Sequence, residues 1–101
     1  MRETSMMETI VTLHPNPGRK GVNINKQKYE MVRTAILNEI QARGEVALTD
    51  LFDTIVFKLG GKFNDAIVWY LIHIKPDLEA RGLIEFVPDT NPPRLRLSAP
   101  K

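Results

Sequence analysis

Apolar residues fall at Tyr29, Val32, Ile36 and Ile40, the three-and-four spacing of one helix face, and Ala35 and Leu37 widen the stripe. Lys26, Glu30, Arg33 and Gln41 take the opposite face. The pattern predicts a helix that starts at Asn25, a favoured N-cap, with Ile24 and Tyr29 placed to pack as a hydrophobic staple. Gly44 is its natural stop. A second stripe, Leu51, Phe52, Ile55, Val56 and Leu59, predicts a helix capped by Thr49, with Asp50 and Asp53 near its positive end, closed by Gly60-Gly61. A third, Phe63, Ile67, Tyr70, Leu71, Ile74 and Leu78, predicts a helix that begins at Asn64, with Phe63 and Val68 as a second staple, and runs to Arg81 before Gly82. Pro76 lies inside it and has no amide to offer the carbonyl of Ile72, so a kink or a brief break is expected there.

Between and around the helices the pattern changes to β. Thr9 to Leu13 is β-branched enough for a short strand, and it ends at His14-Pro15-Asn16-Pro17-Gly18, whose two prolines forbid regular structure. Glu45-Val46-Ala47 is a bridging strand. Leu83 to Val87 reads as another, Asp89 to Pro93 as a turn, and Arg94-Leu95-Arg96-Leu97-Ser98 alternates strictly, a half-buried strand with its arginines outward. The last two strands make a hairpin. The whole is mostly α with a small β-hairpin and a possible extra N-terminal strand. Residues 1–24 form an extended leader, with residues 1–7 offering nothing to pack, and 25–99 form one domain.

The order helix, short strand, helix, Gly-rich turn, helix and two-stranded hairpin resembles the winged helix-turn-helix superfamily over roughly Asn25 to Ser98. The junction Leu78-Glu79-Ala80-Arg81-Gly82-Leu83-Ile84-Glu85 and the alternating Arg94-Leu95-Arg96-Leu97 carry that resemblance. The leader Thr12-Leu13-His14-Pro15-Asn16-Pro17, followed by Gly21-Val22-Asn23-Ile24, is similar to a small group of uncharacterised bacterial winged-helix proteins. The resemblance implies a fold and, for the third helix, the position that enters a major groove in DNA-binding relatives. It implies no activity.

Composition narrows the classes. The chain has 101 residues, 43% hydrophobic and 26% charged, enough for one small core and too few for two. There is no cysteine, which removes disulfides, thiol nucleophiles and thiolate-held zinc. Fourteen Lys and Arg against twelve Asp and Glu leave a formal charge of +2, too little to drive binding to nucleic acid or membrane by itself. No segment approaches the ~20 apolar residues that span a bilayer, and the first residues lead into no secretory core. No membrane partner is expected, and the expected location is the cytoplasm.

Catalysis has little to work with. Ser5 and Ser98 have no evident base, His14 and His73 lack metal-ligand spacing, and Gly60-Gly61 is followed by Lys62-Phe63 and not by the Lys-Ser/Thr of a phosphate loop. No enzyme activity, metal or cofactor is expected.

Binding remains. The third helix directs Asp65, Val68, Trp69, Ile72 and His73 outward, and from Lys62 to Arg81 three cations offset three acids. Base readout favours Arg, Lys, Asn or Gln. Only Lys62 and Asn64 qualify as base or phosphate contacts, and Asn64 reads better as a cap and Lys62 as a solvated charge. Arg94 and Arg96 on the wing, with Lys58 and with Lys101 beyond, suit phosphate contacts, or they deter edge-to-edge strand pairing. Val68, Trp69 and Ile72 read as an association surface, as core if the helix phase is wrong, or as a face covered by Ile10 to Leu13. Two functions follow. One is a DNA-binding, transcription-regulator-like protein, with a dimer among its expected forms, that makes weak phosphate-dominated contacts to double-stranded DNA. The other is an association module that uses the Trp69 and Ile72 face with a second copy or a protein partner.

Overall fold

Asn25 starts the first helix as its side chain suggests: its Oδ1 accepts the amide of Lys28 at 3.1 Å. In the computed structural model, which describes residues 8–16, 18–64 and 66–98, helix α1 runs Lys26–Arg43. Gly44 ends it at φ 80°, its amide donating to the Ile40 carbonyl. Tyr29, Val32, Ile36 and Ile40 are all buried, and so is Glu39, which the pattern assigns to water. Strand β1 (Thr9–Val11) pairs antiparallel with β2 (Asn23–Asn25), setting Ile10 opposite Ile24. The leader is therefore folded back along the start of α1. Thr12 is buried in the bend, its amide on the Val22 carbonyl and its Oγ1 accepting the Val22 amide. Gly21 is required there, since a Cβ would lie 1.8 Å from the carbonyl oxygen of Thr12.

Strand β3 (Glu45–Ala47) leads directly into α2 (Leu48–Leu59). The predicted Thr49 cap is not used. Ala47 stands at the N-cap, and the Leu48 amide is taken by the carbonyl of Pro93 just ahead of the last strand. Leu51 and Ile55 are buried and Phe52 and Leu59 half-buried, whereas Val56 faces out, a correction to the predicted stripe. A single 3-10 turn, Gly60–Lys62, follows.

The third helix, α3, spans Ile67–Ala80 and starts later than predicted. Asn64 has φ 49°, a left-handed turn conformation that cannot cap a helix, and Ala66 occupies the N-cap. The Phe63–Val68 staple is absent: Val68 points to solvent, and Phe63 is buried edge-on against Tyr70 at 4.9 Å. The helix runs unbroken through Pro76. Ile67, Leu71, Ile74 and Leu78 close the core against α1 and α2.

Strands β4 (Ile84–Phe86) and β5 (Arg94–Leu97) complete a three-stranded antiparallel sheet in the order β3-β5-β4. In register, Arg96 lies opposite Glu45 on one side and Glu85 on the other. Leu95 is fully buried, but Leu97 is 37% exposed at the sheet margin, so the strict alternation buries one leucine and not two. The molecule is a small, mostly α domain of three helices with small antiparallel sheets. Residues 1–7, Asp65, residue 99 and Lys101, on which some of the sequence expectations fall, lie outside the described residues.

Candidate functional site

Because Ile67, Leu71, Ile74 and Leu78 must face inward, the helical phase of α3 fixes what faces out. Val68 is 47% exposed, Trp69 44% and Ile72 53%. They are not core, and β1 does not cover them. Trp69 touches two other rings: Tyr70 meets it edge-on at 5.2 Å, and the His73 ring is tilted against it at 4.6 Å. A large apolar side chain is thus held in place at the surface. Phe57 on α2 is more exposed still, but on that helix it has only Val56 as an exposed apolar neighbour.

The cations of α3 do not complement that face with charge. Lys75 is held by Glu79 at 2.7 Å, with both side chains largely buried. Arg81 is held through Nε by Asp77, whose side chain has no exposure at all. Asp77 is the most heavily bonded acid among the described residues. Its Oδ1 accepts the backbone amide of Leu13 at 2.7 Å, its Oδ2 accepts the Tyr29 hydroxyl at 2.5 Å, and both oxygens accept from Arg81. Burial, with Asp77 as hydrogen-bond acceptor and nearby negative charge, pushes the Tyr29 hydroxyl up to about 12. The hydrogen bond that Arg81 donates to Asp77 likewise raises the Arg81 guanidinium above its ordinary value. The cluster joins α1, α3 and the leader, and its consequence is anchorage.

The residues predicted to meet DNA are mostly engaged elsewhere. Lys58 reaches back to Glu39 at 3.2 Å, where Arg43 also binds. Hydrogen bonds from Lys58 and then Arg43 hold the Glu39 carboxyl below the usual carboxylate range. Arg94 lies 3.4 Å from Glu45 and also donates to its carbonyl. Arg96 binds Glu85 at 2.7 Å. The outer face of the β3-β5-β4 sheet therefore carries two arginines paired with two glutamates. Lys62 and Asn64 are exposed in the turn ahead of α3, and among the described residues Lys62 is in no ion pair, whereas Arg94 and Arg96 are bound to Glu45 and Glu85. Sequence reasoning missed Glu39 and Asp77 altogether. The only local hint of either was an arginine four residues on, Arg43 and Arg81.

Other chemistry has little foothold. Among the described residues, no group of three or more His, Cys, Asp or Glu could hold a metal ion. A groove of about 690 Å³ runs along the start of α1 between Gln27, Met31 and Leu59, open to solvent and sharing no residue with α3 or the C-terminal hairpin. No described helix is long and apolar enough to cross a membrane.

A family model described as a family of unknown function, DUF6958, matches residues 9–95, which take in the leader strand, all three helices and most of the hairpin. No curated protein and no solved structure matches the chain.

Proposed function

The chain belongs to DUF6958, and we propose that it is a winged-helix protein-association module whose contact surface is the outward face of α3. The winged-helix part of the reading draws on the order helix, strand, helix, turn, helix, hairpin, and on β5 lying between β3 and β4. Fold by itself does not decide function. The observation that carries the association reading is the combination of an exposed Val68, Trp69 and Ile72 with a cation on the same helix, Lys75, and one at its C-cap, Arg81, that are already bound to carboxylates. A helix that reads a major groove needs free donors on that face. A helix that docks on protein needs what α3 has, a rigid aromatic anchor with apolar neighbours. A cytoplasmic location without catalytic activity belongs to the same proposal.

Weak, phosphate-dominated contact with double-stranded DNA is a second reading. In its favour are the exposed turn carrying Lys62 and the partial exposure of Arg94 and Arg96. Three of the four candidate cations, Lys58, Arg94 and Arg96, must first leave a carboxylate. Titration with duplex DNA over a range of salt concentrations separates the readings. Each phosphate neutralised adds about 0.9 to the slope of log affinity against log salt. The association reading predicts no saturable binding, or a slope no steeper than about −1. Tight, sequence-selective binding with a slope near −3 or −4 would overturn it.

A further inference from the structure

We propose that the groove along α1 receives an acidic, amphipathic helix of a partner protein. The groove shares no residue with α3, so this goes beyond the reading of the α3 face and is independent of it. Two hollows make up the groove, one of about 690 Å³ beside Gln27, Lys28, Met31 and Leu59 and one of about 270 Å³ beside Arg33 and Leu37. Glu30 and Thr34 line both, so the two are continuous. At a rise of 1.5 Å per residue, the run from Asn25 to Asn38 is about 20 Å long, room for three to four turns of a second helix. Helical phase sets its layout. Gln27, Met31, Thr34 and Asn38 follow one line along the exposed surface, with Lys28 on one side of it and Glu30 and Arg33 on the other. Met31 is 38% exposed and Leu59 half-buried, and together they supply an apolar patch.

Charge selects the occupant. Among the described lysines and arginines, only Arg19, Lys20, Lys28, Arg33 and Lys62 are in no ion pair with a described carboxylate. Lys28 and Arg33 line the groove. Lys62 ends the turn that follows Leu59, and the ring centre of the next residue, Phe63, lies 5.6 Å from the Lys28 ammonium. Arg19 and Lys20 belong to the leader loop and take no part. Glu30 is the one acid among the lining residues. The first turn of α1, at one end of the groove, holds no acid to offset the positive end of the helix dipole. The groove is therefore net positive. A polynucleotide presents a phosphate at every step, which sets one against Glu30 and leaves Met31 and Leu59 without an apolar partner. A peptide helix places carboxylates only where Lys28, Arg33 and Lys62 meet them and lays its apolar stripe on Met31 and Leu59.

The experiment follows the amide NMR spectrum of the isotope-labelled full chain during titration with three probes. The first is a helical peptide of about fourteen residues with leucine at alternating three-and-four spacing and glutamate elsewhere. The second carries lysine in place of each glutamate, and the third is a single-stranded oligothymidylate. The acidic peptide binds saturably, shifts the amides of residues 27–38 and 59–62, and binds less tightly as salt is added. Lys28→Glu combined with Arg33→Glu weakens it by about tenfold or more. Met31→Ser, which alters an exposed apolar position and no charge, weakens it as well. Both variants keep the dispersed spectrum of the folded chain. No saturable binding of the acidic peptide at millimolar concentration would overturn the proposal. So would equal binding of the lysine peptide, tighter binding of the oligothymidylate, binding that survives both variants, or shifts confined to residues 68–72. The duplex titration and substitution of Trp69 decide the α3 reading separately, so the failure of one is distinguishable from the failure of the other.

Discussion

Asp77 gathers three donors, the Leu13 amide, the Tyr29 hydroxyl and the Arg81 guanidinium, around a carboxylate with no solvent exposure. Removing one partner of such a pair strands the others, so Asp77→Ala should cost about 3–5 kcal/mol in urea unfolding. Tyr29→Phe removes one donor and leaves two, and should cost about 1–2 kcal/mol. The tyrosine also makes a prediction in pH. Its folded value of about 12 lies above the ordinary 10. Its contribution is therefore complete below pH 10 and is lost as pH rises toward 12. Wild-type stability should fall across that window by roughly 2–3 kcal/mol more than that of Tyr29→Phe; parallel curves would contradict the assignment. Glu39 works in the opposite direction. Its value is lowered in the fold from an ordinary 4.5, so its contribution is present above 4.5 and disappears as pH falls through the lowered value. Glu39→Gln should blunt acid unfolding on that limb. Neither carboxylate was legible in the sequence as buried. A solvated glutamate and a buried one look alike in a pattern of apolar positions, and the partners that decide the matter, Lys58 and the Leu13 amide, are 19 and 64 residues away.

At the level of elements, legibility followed the source of each boundary. Helix α1 was readable at both ends because a local side chain, Asn25, and a local backbone conformation, at Gly44, set its limits. The start of α2 was not, because a distant carbonyl, that of Pro93, takes the Leu48 amide in place of a side-chain cap. The start of α3 was misread for a related reason. Asn64 has the chemistry of a cap, but the tight turn from Gly60 to Phe63 carries it into a left-handed conformation. The leader's pairing with residues 23–25 could not be seen either, since strands of three residues have too short a period to register. Gly21 tests that pairing. Gly21→Ala forces the Thr12 carbonyl aside and should destabilise the chain by about 1–3 kcal/mol, as overpacking does. Hydrogen exchange at the Thr12 and Leu13 amides should quicken in step. Unchanged protection there would mean that the leader is not anchored by this bend and by Asp77.

At the scale of the whole molecule, the charges on α3 and on the β3-β5-β4 sheet are largely paired: Lys75 with Glu79, Arg94 with Glu45 and Arg96 with Glu85. The buried face of α3 was legible from spacing, and its outward face, Val68, Trp69 and Ile72, followed from the same phase. What the spacing could not disclose was the fate of the basic residues around it. Arg94 and Arg96 look like free phosphate ligands until the register sets Glu45 and Glu85 beside them, and Lys58 looks free until α1 brings Glu39 within 3.2 Å. Those pairings shift the balance from nucleic acid toward protein. The account therefore turns on whether Trp69 serves contact or core, and Trp69→Glu followed by urea unfolding answers that directly. An exposed position predicts an unfolding midpoint close to that of the wild type. A loss of several kcal/mol, the cost of burying an unpaired charge, would place Trp69 in the core and contradict the account.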